Sequence, residues 1–150
     1  PWVCSSYFKL EGSSAHAEAG WFDTGDVATI DPDGFMAITD RTKDVIKSGG
    51  EWISSIEVEN VATDHPKVAE AAVICHFHPK WSERPLLLVV RGPDGQDLTA
   101  QDMLAWFDGK IAKWWFPEAV EFIDELPHTA TGKVQKVALR EMYKDYVFPA

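Results

Sequence analysis

Residues 40–59, reading DRTKDVIKSGGEWISSIEVE, constrain this chain more than any other stretch, because a charged turn, a short apolar strand, a glycine pair and a helix start follow one another without a spacer. Asp40-Arg41-Thr42-Lys43-Asp44 separates the apolar run at 35–38 from Val45-Ile46, which predicts a surface joint between two strand-like pieces. Gly49-Gly50 can adopt backbone angles closed to residues with a Cβ and lets a ligand approach the main chain. Ser54 stands three residues before Glu57, the spacing of a capping box, and Ile53, Ile56, Val58 and Val61 partly fit one helical face. Taken alone, this pattern fits a hairpin, a loop and a helix without chemistry better than it fits a ligand site.

Two further segments accompany it. Gly20-Trp21-Phe22-Asp23-Thr24-Gly25-Asp26-Val27-Ala28 lies upstream, and Leu126-Pro127-His128-Thr129-Ala130-Thr131-Gly132-Lys133-Val134 lies near the end. In this order the three segments resemble the C-terminal signature motifs of the adenylate-forming superfamily, which includes acyl-CoA synthetases, luciferases and the adenylation domains of peptide synthetases. The match runs over about residues 20–140. The resemblance implies a much larger N-terminal domain, carrying the phosphate-binding loop and the acyl pocket, that is missing from this sequence. Residues 1–40 are then expected to be the tail of that domain, with a hinge at Asp40, and residues 41–150 the mobile C-terminal domain.

Length and composition allow one sizeable core, since 45% of 150 residues are hydrophobic. The formal net charge of −10 repels polyanions and argues against non-specific nucleic-acid binding, so anionic ATP and CoA would have to be met by local cations. Cys4 and Cys75 have no framework spacing and read as reduced thiols of a cytoplasmic protein. No apolar run reaches the length of a membrane span.

Along the chain, Trp2, Tyr7 and Phe8 read as pieces of a packed strand. Two strands are expected between residues 20 and 39, turned at Asp31-Pro32-Asp33-Gly34. A helix over 55–64 ends before His65-Pro66. Strands follow at 68–77 and 86–91 with a loop between them, then a helix over 99–112 capped by Thr99 with Asp102. A short strand at 120–123 and a helix at 134–146 complete the set, the latter with Val137, Leu139, Met142 and Tyr143 as its apolar residues. This is an α+β domain with a two-stranded ribbon and a three-stranded sheet flanked by helices.

Asp26 sits where a carboxylate can accept hydrogen bonds from both hydroxyls of a ribose, and it fits a turn-capping role as well. The resemblance gives it the ribose of adenosine, and gives Arg41 the ribose or phosphate side of the nucleotide. Lys43 fits a solvated role at least as well as a functional one. Thr129, Thr131 and Gly132 form a loop that presents the Lys133 ammonium ahead of a helix. By resemblance this lysine bridges the carboxylate substrate and the α-phosphate. It is no Walker A lysine, because Val134 replaces the Ser/Thr and the first glycine is absent. Ser48, Gly49, Gly50, Glu51 and Trp52 are expected by resemblance to line the tunnel for the pantetheine arm of CoA, although Trp52 suits a core position equally. Trp81 and Trp114 fall where some family members stack the CoA adenine. The sequence departs from the family after Trp114, where Trp115-Phe116-Pro117-Glu118 replaces basic residues. Arg84 is the first candidate to anchor the CoA phosphates instead, ahead of Lys80, Lys110 and Lys113. His76-Phe77-His78 puts two imidazoles on one strand face without the further ligands a zinc site needs, so no metal site is expected. Lys136, Arg140, Glu141, Lys144 and Asp145 read as the solvated face of the last helix.

The resemblance therefore implies an ATP-dependent acid–thiol ligase. A carboxylic acid attacks Mg-ATP to give an acyl-adenylate, the small domain rotates, and CoA displaces AMP. Mg2+ would be held mainly by the missing domain, which would also carry any homodimer contact. Residues 52–55 and 78–81 look more like medium- and long-chain fatty acyl ligases, and ligases of short methylthio acids, than like peptide-synthetase domains. The alternatives are an adenylation domain loading a carrier protein, and a nucleotide-binding module without turnover.

Overall fold

The computed structural model describes His16 and residues 18–149, so the expectations for Trp2, Cys4, Tyr7 and Phe8 lie outside the described residues. Two compact units divide between Lys43 and Asp44.

In the first unit, β1 (Asp26–Ile30) and β2 (Met36–Arg41) form an antiparallel pair. The turn between them is closed by Asp31, whose Oδ1 accepts from the N–H groups of Asp33 (3.0 Å) and Phe35 (2.8 Å), while Gly34 takes φ 87°. Asp40 and Arg41 are still laddered, opposite Val27 and Asp26. Asp40 is only 1% exposed, which corrects the expectation of a surface joint at that residue. Its Oδ1 accepts from the Arg41 N–H at 2.7 Å.

The second unit contains β3 (Ile46–Ser48), β4 (Glu51–Ile53), α1 (Ser55–Thr63), β5 (Val68–His78), β6 (Ser82–Arg91), α2 (Ala100–Trp106), β7 (Ala119–Phe122) and α3 (Lys136–Met142). A 3-10 turn, Lys113–Trp115, precedes β7. The strand order is β4-β3-β6-β5, with β7 parallel to β6. Because β5 pairs with β6 along nearly its whole length, β3 and β7 share the other edge of β6. The expected ribbon (β3 and β4) and three-stranded sheet (β5, β6 and β7) are thus joined by one rung, Ser48↔Ser82.

The sheet is covered on both faces, which is why β6 contains the unbroken apolar run Leu86-Leu87-Leu88-Val89. Val73, Leu87 and Val89 pack with Val58 and Ala62 of α1, Met103 of α2 and Phe107 at the end of α2. Ala72, Ile74, Leu86 and Leu88 pack with Leu126 and Leu139 of the α3 side. Both helix caps follow the predicted spacing. Ser54 accepts from the Glu57 N–H at 3.2 Å, and Thr99 and Asp102 form a reciprocal box.

Three expectations are corrected. The region read as a loop over 78–85 is largely strand, since β6 starts at Ser82 and only Pro79-Lys80-Trp81 turn. Helices α2 and α3 are shorter than predicted, and on α3 Val137 and Met142 are exposed rather than packed. The charged residues of α3 are not simply a solvated face. Lys136 Nζ, largely buried, lies 2.8 Å from both Glu59 Oε1 and Ser55 Oγ, and Glu59 Oε1 also accepts from the Val73 N–H at 2.7 Å. Arg140 pairs with Asp44, whereas Glu141 and Lys144 do form an exposed pair.

Removing one member of such an enclosed pair strands the other. Lys136→Met is therefore expected to lower the urea midpoint, at unchanged m-value, by an amount equivalent to about 2–3 kcal/mol. The double variant Glu59→Leu/Lys136→Met should recover part of the loss. A single variant as stable as the parent shows that the pair contributes nothing.

Candidate functional site

The first unit brings two predicted nucleotide residues together. Asp26 opens β1 directly opposite Arg41 at the end of β2, and Arg41 Nε meets Asp26 Oδ1 at 2.9 Å. A second nitrogen, Arg41 Nη1, donates to the Thr24 carbonyl at 3.0 Å, so the guanidinium orients the carboxylate and the loop before it. The other carboxylate oxygen, Oδ2, has no partner among the described residues.

In the second unit, Lys133 follows a tight turn. The Thr129 carbonyl accepts from the Gly132 N–H (2.9 Å), and the Lys133 carbonyl accepts from the Thr129 N–H (2.7 Å). Thr129 Oγ1 accepts from the Lys133 N–H at 3.1 Å, and His128 bridges to Val134 below. Gly132 takes the left-handed φ of 79° that closes such a loop. The Lys133 side chain is exposed and its ammonium has no ion-pair partner among the described residues. The turn is rooted near the start of β5, where His128 Nε2 lies 3.5 Å from Glu70 Oε1.

The predicted CoA residues gather at the opposite end of β5. Gly49 and Gly50, with φ of 58° and 92°, make the two-residue turn between β3 and β4, where a left-handed pair matches the twist of the flanking strands. The Gly49 N–H donates to the Trp81 carbonyl at 2.9 Å, and a Cβ on Gly49 would come within 2.8 Å of the Trp81 ring. Trp81 is 40% exposed, Trp114 47% and Trp52 56%, so none of the three is a core residue. Glu51 is exposed beside Trp52 on β4.

Arg84 ties these pieces to one another. Its side chain is only 12% exposed. Nη1 donates to Ser48 Oγ (3.2 Å) and to the Trp114 carbonyl (2.8 Å), Nη2 to the Phe116 carbonyl (2.9 Å), and Nε meets Glu118 Oε2 at 2.8 Å. A guanidinium so occupied and so neutralised is spent on internal acceptors. Sequence reasoning placed it beside Trp81 but missed its partners, because all lie thirty or more positions away. The other cation candidates differ in placement. Lys80 Nζ sits over the Trp81 ring at 4.5 Å, Lys110 is folded back on Trp106, and Lys113 lies 3.8 Å from Asp108.

Burial raises the Cys75 thiol, with the Glu83 carboxylate adding to it, so Cys75 is held as a neutral thiol rather than a nucleophile. Among the described residues no group of three or more His, Cys, Asp or Glu residues is placed to hold a metal ion, and no helix is long and apolar enough to cross a membrane.

This fold and these motifs define the class. Residues 57–133 match the AMP-binding enzyme C-terminal domain, and the chain belongs to that family. Among relatives, it is 58% identical over 144 residues to 3-methylmercaptopropionyl-CoA ligase of Ruegeria lacuscaerulensis, covering 96% of this chain and 26% of that protein. It is 51% identical over 144 residues to medium-chain-fatty-acid–CoA ligase of Ectopseudomonas oleovorans, with the same coverage. Among solved structures, o-succinylbenzoate CoA synthetase of Bacillus subtilis, in complex with its acyl-adenylate intermediate, aligns with TM-score 0.80 at 34% identity, covering 97% of this chain and 29% of that one. The chain thus spans about a quarter of the length of the ligases it matches.

Proposed function

We propose that this chain is the mobile C-terminal part of an AMP-forming acid–CoA ligase, which activates a carboxylic acid with ATP and passes the acyl group to CoA. The observation that carries the reading is the placement of the Lys133 turn and the Gly49–Trp81 cluster at opposite ends of β5. From Glu70 to His78 the strand runs roughly 25 Å at about 3.3 Å per residue, so the two ends cannot serve one reacting centre at once. Two half-reactions, each using one end, account for the arrangement.

In the first, Lys133 supplies a positive charge to the carboxylate and the α-phosphate as pyrophosphate leaves. Asp26, oriented by Arg41, accepts from the ribose hydroxyls, and its second oxygen is available for that purpose. Mg2+ would accompany ATP, with its ligands on the rest of the polypeptide. In the second, Ser48, Gly49, Gly50, Glu51 and Trp52 line the approach of the pantetheine arm, with Trp81 and Trp114 as stacking surfaces. Arg84 belongs to this face as the residue that holds its parts together, and Lys80 is the better placed cation for the CoA phosphates. The names of the relatives favour a fatty acid or a short methylthio acid as substrate.

The test is turnover by the full-length protein. Acid-dependent formation of AMP together with loss of free CoA thiol is expected. Acid-dependent AMP formation with thiol untouched, and acylation of a carrier protein instead, indicates the carrier-loading alternative. Absence of any acid-dependent turnover, with nucleotide binding retained, indicates the binding module.

Rotation between the two steps needs a pivot, and we assign it to Asp40, the buried residue of β2 shortly before the boundary between the two compact units. Asp40→Pro fixes φ near −65°. One half-reaction should then persist while the other is lost, measured by pyrophosphate exchange and by thioester formation from supplied acyl-adenylate. Unchanged rates for both remove Asp40 as the pivot.

A further inference from the structure

The turn that carries Trp81 is closed by a side chain as well as by the strand ladder. His78 is the last residue of β5, paired with Ser82 across the three-residue loop Pro79-Lys80-Trp81. Its Nδ1 accepts from two consecutive backbone N–H groups, those of Lys80 (3.1 Å) and Trp81 (3.2 Å). On the far side of the loop Ser82 has φ 71°, a left-handed conformation that costs a residue with a Cβ roughly 1–2 kcal/mol. A loop strained in this way holds one shape only if its surroundings over-determine it. The imidazole does this from inside the turn, as an aspartate or asparagine does in an Asx turn.

The same ring touches both walls of the aromatic cluster. Nε2 lies 3.9 Å from Glu118 Oε1, the carboxylate whose other oxygen holds Arg84, and Arg84 in turn holds the Trp114 carbonyl. The C-terminal Phe148 ring lies against its open side, with centroids 5.9 Å apart. One ring nitrogen therefore serves the Trp81 backbone, and the other faces the network behind Trp114.

We propose that His78 is a positioning residue for the CoA half-reaction, fixing the Trp81 indole through the two backbone hydrogen bonds accepted by Nδ1. The proposal rests on the reading of Trp81 as part of the CoA face. His78 touches no substrate itself. It sets the peptide planes at Lys80 and Trp81, and with them the direction in which the indole leaves the main chain and the place of the Lys80 ammonium above it.

Asparagine and glutamine separate the two nitrogens. After His78→Asn the amide Oδ1 would occupy the place of Nδ1, and after His78→Gln the amide nitrogen would occupy the place of Nε2, facing the Glu118 carboxylate. In the full-length enzyme, His78→Ala and His78→Gln are expected to raise the KM for CoA about tenfold, the effect of losing two ordinary hydrogen bonds, while pyrophosphate exchange changes by less than about twofold. His78→Asn is expected to keep the KM of the parent. Trp81→Ala is the reference variant and should raise the KM for CoA at least as much as His78→Ala. If Trp81→Ala raises that KM while the asparagine and glutamine variants behave alike, the proposal is overturned and the CoA reading stands. A KM for CoA unchanged in Trp81→Ala removes the CoA reading and the proposal together. Should His78→Ala fail to fold, the contrast between asparagine and glutamine decides the matter alone.

Discussion

Lys133→Ala should lower the rate of acyl-adenylate formation by about 10²–10³, the typical effect of removing one preorganised donor from developing negative charge. Thioester formation from supplied acyl-adenylate should survive. The prediction follows from the turn around the lysine as much as from its charge. Three hydrogen bonds to backbone N–H groups and a left-handed glycine hold the main chain at 129–133, so the exposed ammonium swings from a fixed root. Pyrophosphate exchange and single-turnover thioester formation check the two halves separately. Equal damage to both steps contradicts the division of labour between the ends of β5.

Arg84→Lys is the second large effect expected. A lysine ammonium is one point charge with three donors, and it cannot span the four acceptors that the planar guanidinium reaches on Ser48, Trp114, Phe116 and Glu118. The hydrogen bonds lost to charged and carbonyl acceptors amount to about 2–4 kcal/mol of domain stability, read as a lowered urea midpoint. At temperatures where the variant is folded, the KM for CoA should rise about tenfold with pyrophosphate exchange little changed. A variant that weakens both half-reactions equally, or neither, shows that the network does not serve the CoA face in particular.

What could be read from residues alone divides along sequence distance. The Ser54 and Thr99 caps were legible because donor and acceptor lie three residues apart and need no knowledge of the fold. The turn at Gly49-Gly50 was legible for the same reason. The start of β6 was not, because Glu83-Arg84-Pro85 has neither alternation nor β-propensity. The structure shows why proline is tolerated there. Pro85 faces the edge of β6 between the rung to β3 and the ladder to β7, and its carbonyl accepts from the Glu118 N–H at 2.9 Å. No strand asks for the N–H that proline lacks.

The charged residues of the last helix were misread for a different reason. Lys136 and Arg140 look solvated in a short helix whose sequence neighbours are also charged, but their partners Glu59 and Asp44 lie on elements far back in the chain. Likewise Asp40 and Arg41 read as a flexible joint because charge suggests surface. The expected hairpin turned at residues 31–34 instead runs on past Thr39 and pairs both residues, with Val27 and Asp26. The functional candidates near Lys133, Gly49 and Trp81 were found because motif spacing carried them, whereas Arg84's network and the His78 staple depend on contacts that only the folded chain supplies.

The bond from the Val73 amide to Glu59 has a consequence for solution behaviour. In the second unit β5 lies at the outside of the sheet, where a row of unsatisfied main-chain groups invites a strand from another molecule. Here a helix lies along that margin, and its carboxylate takes an amide that an intruding strand would need, with Lys136 neutralising the acid. The domain thereby carries its own protection against polymerising through an open border.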